Sequence, residues 1–141
     1  MKKVMVFGAF DGLHPGHLDF FRQAKKYGDF LIVSVGTDKN VEKIKGKKPL
    51  FSQGERLKLV KNLKIVNRVV LGTEKDDFFK HHIKNYAPDV ICLGYDQWAS
   101  EDKVRTELDR VGLSGTRVVR LGPYRQTRAK STQLKDKSVD F

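Results

Sequence analysis

His14 and His17, with Pro15 and Gly16 between them, stand directly after the apolar run Val4-Met5-Val6-Phe7 and the turn Gly8-Ala9-Phe10-Asp11-Gly12. Two imidazoles at the start of a helix have a specific chemical use. The unpaired N–H groups of a helix N-terminus attract an anion, and a histidine placed there donates to phosphoryl oxygens as negative charge develops on them. An isolated H-x-x-H pair would read better as a helix cap. The strand and the two glycines before it point to a phosphate site instead, because a motif gains meaning from its structural context. Cations are abundant: Lys39, Lys43, Lys45, Lys47 and Lys48 crowd what reads as one loop, and Arg117, Arg120, Arg125, Arg128 and Lys130 crowd the C-terminal end. Both groups suit a polyanionic small molecule.

Positioning these side chains requires alternating strands and helices. The unbroken apolar character of the first strand suits a central parallel strand covered on both faces. Gly8 and Gly12 permit close backbone approach or positive φ, and Pro15 favours a first helical turn. Leu18, Phe21 and Ala24, with Tyr27 beyond, then form an apolar stripe at helical spacing. A second strand is expected over residues 30–36, ending at Thr37-Asp38, and the lysine-rich loop follows through Gly46 and Pro49. A helix over about 54–63 starts near Ser52 or Gln53, a third strand covers 66–71, and 76–86 is amphipathic. Pro88 precedes a fourth strand at 90–93, a fifth is expected at 117–121, and Ser131-Thr132 would cap a short last helix. In such a parallel α/β sheet, ligands gather beyond the carboxyl ends of the strands. Four segments meet there: the histidine loop, Thr37-Asp38, the stretch from Gly94 to Trp98, and the arginine-rich stretch after Leu121.

Gly8-Ala9-Phe10-Asp11-Gly12-Leu13-His14-Pro15-Gly16-His17 resembles the G-x-F-D-x-x-H-x-G-H signature of cytidylyltransferase-like nucleotidyltransferases, matching all six fixed positions. The resemblance implies a single domain over residues 1–141, with a Rossmann-like five-stranded parallel sheet in three α/β/α layers. It also implies attack of an acceptor phosphate on the α-phosphorus of a nucleoside triphosphate, with release of pyrophosphate. His14 and His17 would then face the α- and β-phosphates, and Gly8, Ala9, Phe10 and Asp11 would form the backbone cradle. A lysine from 43–48, Lys45 first, would neutralise the triphosphate or incoming phosphate. Lys43, Lys48, Asp38, Arg56 and Tyr95 are candidates for the acceptor side, with Arg56 and Arg128 secondary candidates for the triphosphate. Gly94-Tyr95-Asp96-Gln97 is similar to the segment such enzymes place beside base and sugar, which assigns Gly94 and Asp96 to the nucleotide. Gln126-Thr127-Arg128-Ala129-Lys130-Ser131-Thr132 resembles a family R-T-x-x-x-S-T segment that holds the β- and γ-phosphates, with glutamine at the arginine position. Arg125 or Arg128 would supply that charge, and Ser131 and Thr132 the hydroxyls. Mg2+ is expected on the triphosphate itself, with Asp11 and Asp38 the only nearby carboxylates.

Two subfamilies fit. Gly46-Lys47-Lys48-Pro49, Glu55-Arg56 and the segment from Pro88 to Gln97 look like archaeal-type FAD synthases, which adenylate FMN with ATP. The histidine motif, the Ser-Thr ending and Trp98 after Asp96 also suit a glycerol-3-phosphate cytidylyltransferase using CTP. Tyr95-Asp96-Gln97 favours the former. A homodimer is implied by the same resemblance.

Composition agrees. The 141-residue chain, 39% hydrophobic and 32% charged, reads as one globular domain. No apolar run approaches the ~20 residues of a membrane helix, and Met1-Lys2-Lys3 leads directly into the first strand without a signal-peptide pattern. A cytoplasmic protein that does not engage membranes is expected. Cys92 is the single cysteine and has the apolar neighbours of a buried strand thiol. A net charge of +11 resembles a nucleic-acid binder's footprint, but no nucleic-acid-binding signature accompanies it and the aromatics follow core spacing. A module that binds nucleotide or RNA without turnover is the alternative of another class.

Overall fold

The computed structural model describes residues 1–97 and 99–124. Within them β1 (Lys3–Gly8), β2 (Phe30–Val35), β3 (Arg68–Leu71), β4 (Val90–Leu93) and β5 (Arg117–Arg120) form one parallel sheet in the order β3-β2-β1-β4-β5. β1 occupies the middle because Val4, Met5 and Val6 are all fully buried, which only a strand covered on both faces allows. Val4 and Val6 pack with Val33, Val35 and Cys92 beneath helices α1 (Pro15–Lys25) and α3 (Gln53–Lys61), which contribute Phe21, Ala24 and Val60. On the opposite face Met5 joins Ile32 and Val70, while Ile91 and Leu93 meet Ile83 and, from α5 (Glu101–Arg110), Val104 and Leu108. The result is the expected Rossmann-like three-layer architecture. The strand order reverses between β1 and β4, which opens a crevice at their carboxyl ends.

Three local expectations are corrected. The lysine-rich stretch is not all loop: α2 (Asp38–Lys45) carries Lys39, Lys43 and Lys45, and only Lys47 and Lys48 follow it. Thr37 caps this helix by accepting from the Asn40 N–H at 3.1 Å, and Gly46 ends it with φ 79°. Val41 is its one buried side chain, so the charged face hides the helical period. α5 is an additional element, capped by Ser100, with Glu101 and Asp102 favouring the positive end of its dipole. Finally, the amphipathic stretch at 76–86 winds as a π-helical turn, Phe79–Ile83, before the short α4 (Lys84–Tyr86). The helix expected near Ser131-Thr132 lies outside the described residues, as does Trp98. None of the helices described is long and apolar enough to cross a membrane.

The π-helical turn buries His82 against β2, where its Nε2 lies 2.8 Å from the Ser34 hydroxyl. Burial disfavours the imidazolium and holds this histidine below its ordinary value of 6.5. As pH drops below about 6.5 the unfolded chain takes up a proton that the folded chain does not, so stability falls with falling pH. Denaturant unfolding between pH 7 and 5 is expected to show this slope, at most about 1.4 kcal/mol per pH unit for each such histidine. His82→Gln is expected to flatten it.

Candidate functional site

The loop from β1 to α1 is shaped by Phe10, a non-glycine residue held at φ 51°. Its ring is buried, packing against Phe21 at 5.2 Å and beneath His17 at 5.5 Å between centroids. A Cβ on Gly8 would lie 2.8 Å from that ring, so only glycine permits Phe10 to fold back over the strand end. Such positive-φ residues persist where surrounding packing over-determines them.

His14 is the N-cap of α1. Its Nδ1 accepts from the Gly16 N–H at 3.0 Å, while the His14 N–H donates to Nδ1 of His17 at 3.3 Å. This reciprocal arrangement is a capping box built from two imidazoles. With each Nδ1 accepting, the proton of each neutral ring resides on Nε2, and each histidine offers Nε2–H as a donor. The rings stack at 3.9 Å. A Cβ on Gly16 would come within 2.8 Å of His14 Cε1, so that position has no room for a side chain. Burial, the neighbouring His14 and the Lys45 charge lower the His17 pKa to about 4, so its ring is neutral at pH 7.

A second group of contacts surrounds Arg56. It was expected to face the acceptor or the triphosphate, but its side chain is fully buried and spent on the chain itself. Nε donates to Phe51 O at 2.9 Å, Nη1 to Ala9 O at 2.9 Å and Gly36 O at 2.8 Å, and Nη2 to Asp38 Oδ1 at 2.7 Å. Asp38 ties Arg56 to the start of α2 through Oδ1, while its side chain stays 45% exposed. Asp11 also works through its side chain, which accepts from the Leu50 N–H at 2.7 Å and the Phe51 N–H at 2.9 Å. Although burial raises it, those N–H groups and the Arg56 and Lys45 charges hold the Asp11 carboxyl below its ordinary value. Both carboxylates considered for a metal are therefore engaged. Among the described residues no group of three His, Cys, Asp or Glu side chains converges for a metal ion. Lys43, Lys45 and Lys48 are exposed, and Lys45 stands close enough for its charge to act on both Asp11 and His17.

At the far side of the crevice, Gln97 bridges the two strands where their order reverses. Its Oε1 accepts from the Gly94 N–H at 2.7 Å and its Nε2 donates to Phe7 O at 3.0 Å. Arg120 holds the same loop from below, donating to Gly94 O, Gln97 O and Ala99 O and pairing with Glu101. Arg120 is thus a strut, not a member of a free cationic cluster, and Arg117 lies over the Tyr27 ring at 5.3 Å. Tyr95 and Asp96 project from the turn into solvent. Cys92 is buried, which pushes its thiol up to about 12. Arg128, Ser131 and Thr132 lie outside the described residues.

Arg120 carries no motif, and although Asp11 and Gln97 lie in motifs, the hydrogen bonds their side chains make to Leu50, Phe51 and Phe7 join segments far apart in sequence. Arg56→Met is expected to strand the Ala9, Gly36 and Phe51 carbonyls and lower unfolding free energy by about 3 kcal/mol or more, measured by denaturant titration.

Residues 5–137 match the cytidylyltransferase-like family. An FAD synthase from Thermoplasma acidophilum is 40% identical over 141 residues, spanning 100% of this chain and 96% of that protein. One from Picrophilus torridus is 37% identical, spanning 99% of this chain and 97% of its own. The crystal structure of a lipopolysaccharide core biosynthesis protein from Thermoplasma volcanium GSS1 superposes with a TM-score of 0.83 at 37% identity, covering 89% of this chain and 99% of that one. A pantoate-β-alanine ligase from Francisella tularensis shares the fold alone, with a TM-score of 0.62 at 12% identity over 96% of this chain and 66% of that one. The paired imidazoles on the first strand's exit and a family match running from β1 through residue 137 place the chain in the cytidylyltransferase-like family.

Proposed function

We propose that this chain is an FMN adenylyltransferase, which converts ATP and FMN to FAD and pyrophosphate. The observation that carries the reading is the histidine capping box, which leaves two Nε2–H donors at the start of α1, the helix that follows β1, where the strand order reverses. Support for the substrates comes from the FAD synthases it resembles along nearly their whole lengths.

A phosphate oxygen of FMN attacks the α-phosphorus of ATP, the bond to the oxygen bridging the α- and β-phosphates breaks, and pyrophosphate leaves with that electron pair. The nucleophile is already an anion, so the protein's task is alignment and stabilisation of charge. His14 and His17 donate to the α- and β-phosphates, and their rings, locked by the cap, need no reorganisation as charge grows. Lys45 adds a positive charge beside His17, and the exposed Lys43 and Lys48 draw the incoming phosphate inward. The backbone of Gly8, Ala9, Phe10 and Asp11 lines the triphosphate, Gly94 and Asp96 face the ribose and base, and Tyr95 borders the acceptor. Arg128, Ser131 and Thr132 would close on the β- and γ-phosphates. ATP enters as its magnesium complex, the metal being carried by phosphate oxygens. The same family likeness supports a homodimer.

Incubation with magnesium and each pairing of ATP or CTP with FMN or glycerol 3-phosphate is expected to yield pyrophosphate and FAD from ATP with FMN. Turnover confined to CTP and glycerol 3-phosphate would reverse the assignment, and tight RNA binding at physiological salt without turnover would favour the binding module. His17→Ala is expected to lower kcat about a thousandfold, since it removes a preorganised donor. Bound magnesium–ATP should raise the His17 pKa from about 4, because phosphate charge favours imidazolium; an NMR titration of the ring protons measures it.

A further inference from the structure

We propose that Leu50 and Phe51 form the platform on which the isoalloxazine ring of FMN lies, an inference that rests on the adenylyltransferase reading above. Leu50 is 86% exposed and Phe51 38% exposed. A single exposed apolar side chain is ordinary, but adjacent ones that form one surface can mark a ligand-binding site. Here the backbone beneath them is pinned. Both N–H groups donate to the one carboxylate of Asp11, at 2.7 and 2.9 Å, and the Phe51 carbonyl accepts from the buried Arg56 at 2.9 Å. The fold therefore fixes an apolar surface in water, adjoining the loop that carries the histidines.

The neighbours specify what would cover it. The Phe51 ring stands over Gly12, where a Cβ would lie 3.7 Å from Phe51 Cε2, so the platform borders the turn that leads to His14. Lys47 and Lys48 precede it in the chain, and the Lys45 charge is felt at both Asp11 and His17. Ile44, another apolar side chain at 70% exposure, adjoins Lys45 on α2. A ligand complementary to this surface has a flat uncharged ring at one end and a phosphate at the other. FMN is such a molecule: its ring covers Leu50 and Phe51 while its phosphate reaches Lys45 and the ATP held at His17. Glycerol 3-phosphate carries no apolar part and would leave the platform bare.

The test uses the full chain with Leu50→Gln, Phe51→Leu and the pair combined. Leu50 is so exposed that its substitution should leave the thermal midpoint unchanged, which keeps the comparison interpretable if Phe51→Leu proves less stable. The combined variant is expected to raise both the FMN KM and the FMN Kd measured without ATP by calorimetric titration, each roughly tenfold, as loss of an aromatic and aliphatic contact implies. The ATP KM should change less than twofold. Unchanged FMN KM and Kd would overturn the platform while leaving the adenylyltransferase intact. Light scattering that showed the variants converting a dimer to monomer, with flavin affinity intact, would assign the surface to a second copy of the chain and overturn it too. If the unmodified protein makes no FAD, the FMN titration decides alone. A tenfold weakening in the variants would retain the platform without the transferase, and no binding at all would remove both.

Discussion

Arg56 brings a permanent positive charge into the interior and surrounds it with the carbonyl oxygens of Ala9, Gly36 and Phe51 and the carboxylate of Asp38. A buried guanidinium is tolerable only when its donors find such partners, because the desolvation of an unpaired charge costs several kcal/mol. The partners lie on four separate stretches: the exit of β1, the exit of β2, the start of α2, and the segment that leads into α3. One side chain thereby sets the relative positions of the loop bearing the histidines and the helix bearing the lysines. Asp11 reinforces the link by binding Leu50 and Phe51 from the β1 side.

The opposite wall is organised by the same physical means. Gln97 joins the ends of β4 and β1, and Arg120 gathers three carbonyls and Glu101 behind it. Sheet topology makes a crevice at the point where strand order reverses, and these polar side chains hold the loops that line it. In both walls the working donors and acceptors are oriented before any ligand arrives, which is the condition for electrostatic catalysis. The histidine pair combines two tasks. It satisfies orphan N–H groups at the start of α1, and that same hydrogen bonding leaves Nε2–H available. Desolvation, the first cause of its lowered pKa, keeps His17 neutral, so its Nε2–H remains a hydrogen-bond donor.

Much of this was legible in the order of residues. Val4-Met5-Val6 reads as a central strand because no polar residue interrupts it, and all three side chains are fully buried. His14, Pro15 and Gly16 mark a helix start, and the structure shows His14 capping it, the use that the sequence reading set against a phosphate site. α2 was hidden because a helix with one buried residue and a lysine-rich surface shows no apolar period, although Thr37 and Gly46 were its proper boundary signals. α5 carried a comparable signal in Ser100-Glu101-Asp102 with Val104 and Leu108 four residues apart.

The sequence by itself determined the parallel α/β class, the central first strand and the histidine-bearing start of α1, since these follow from short-range patterning and from residue types at fixed spacing. Tertiary structure alone decided how the charged residues divide. Arg56, Arg120, Asp11 and Asp38 look on paper like ligand-binding groups, yet their partners are backbone or side-chain atoms distant in sequence. Whether a charge binds the chain or faces solvent depends on which loops the sheet brings beside it. Lys43, Lys45 and Lys48 remain exposed: α2 buries Val41 alone, and Lys48 lies beyond its Gly46 end.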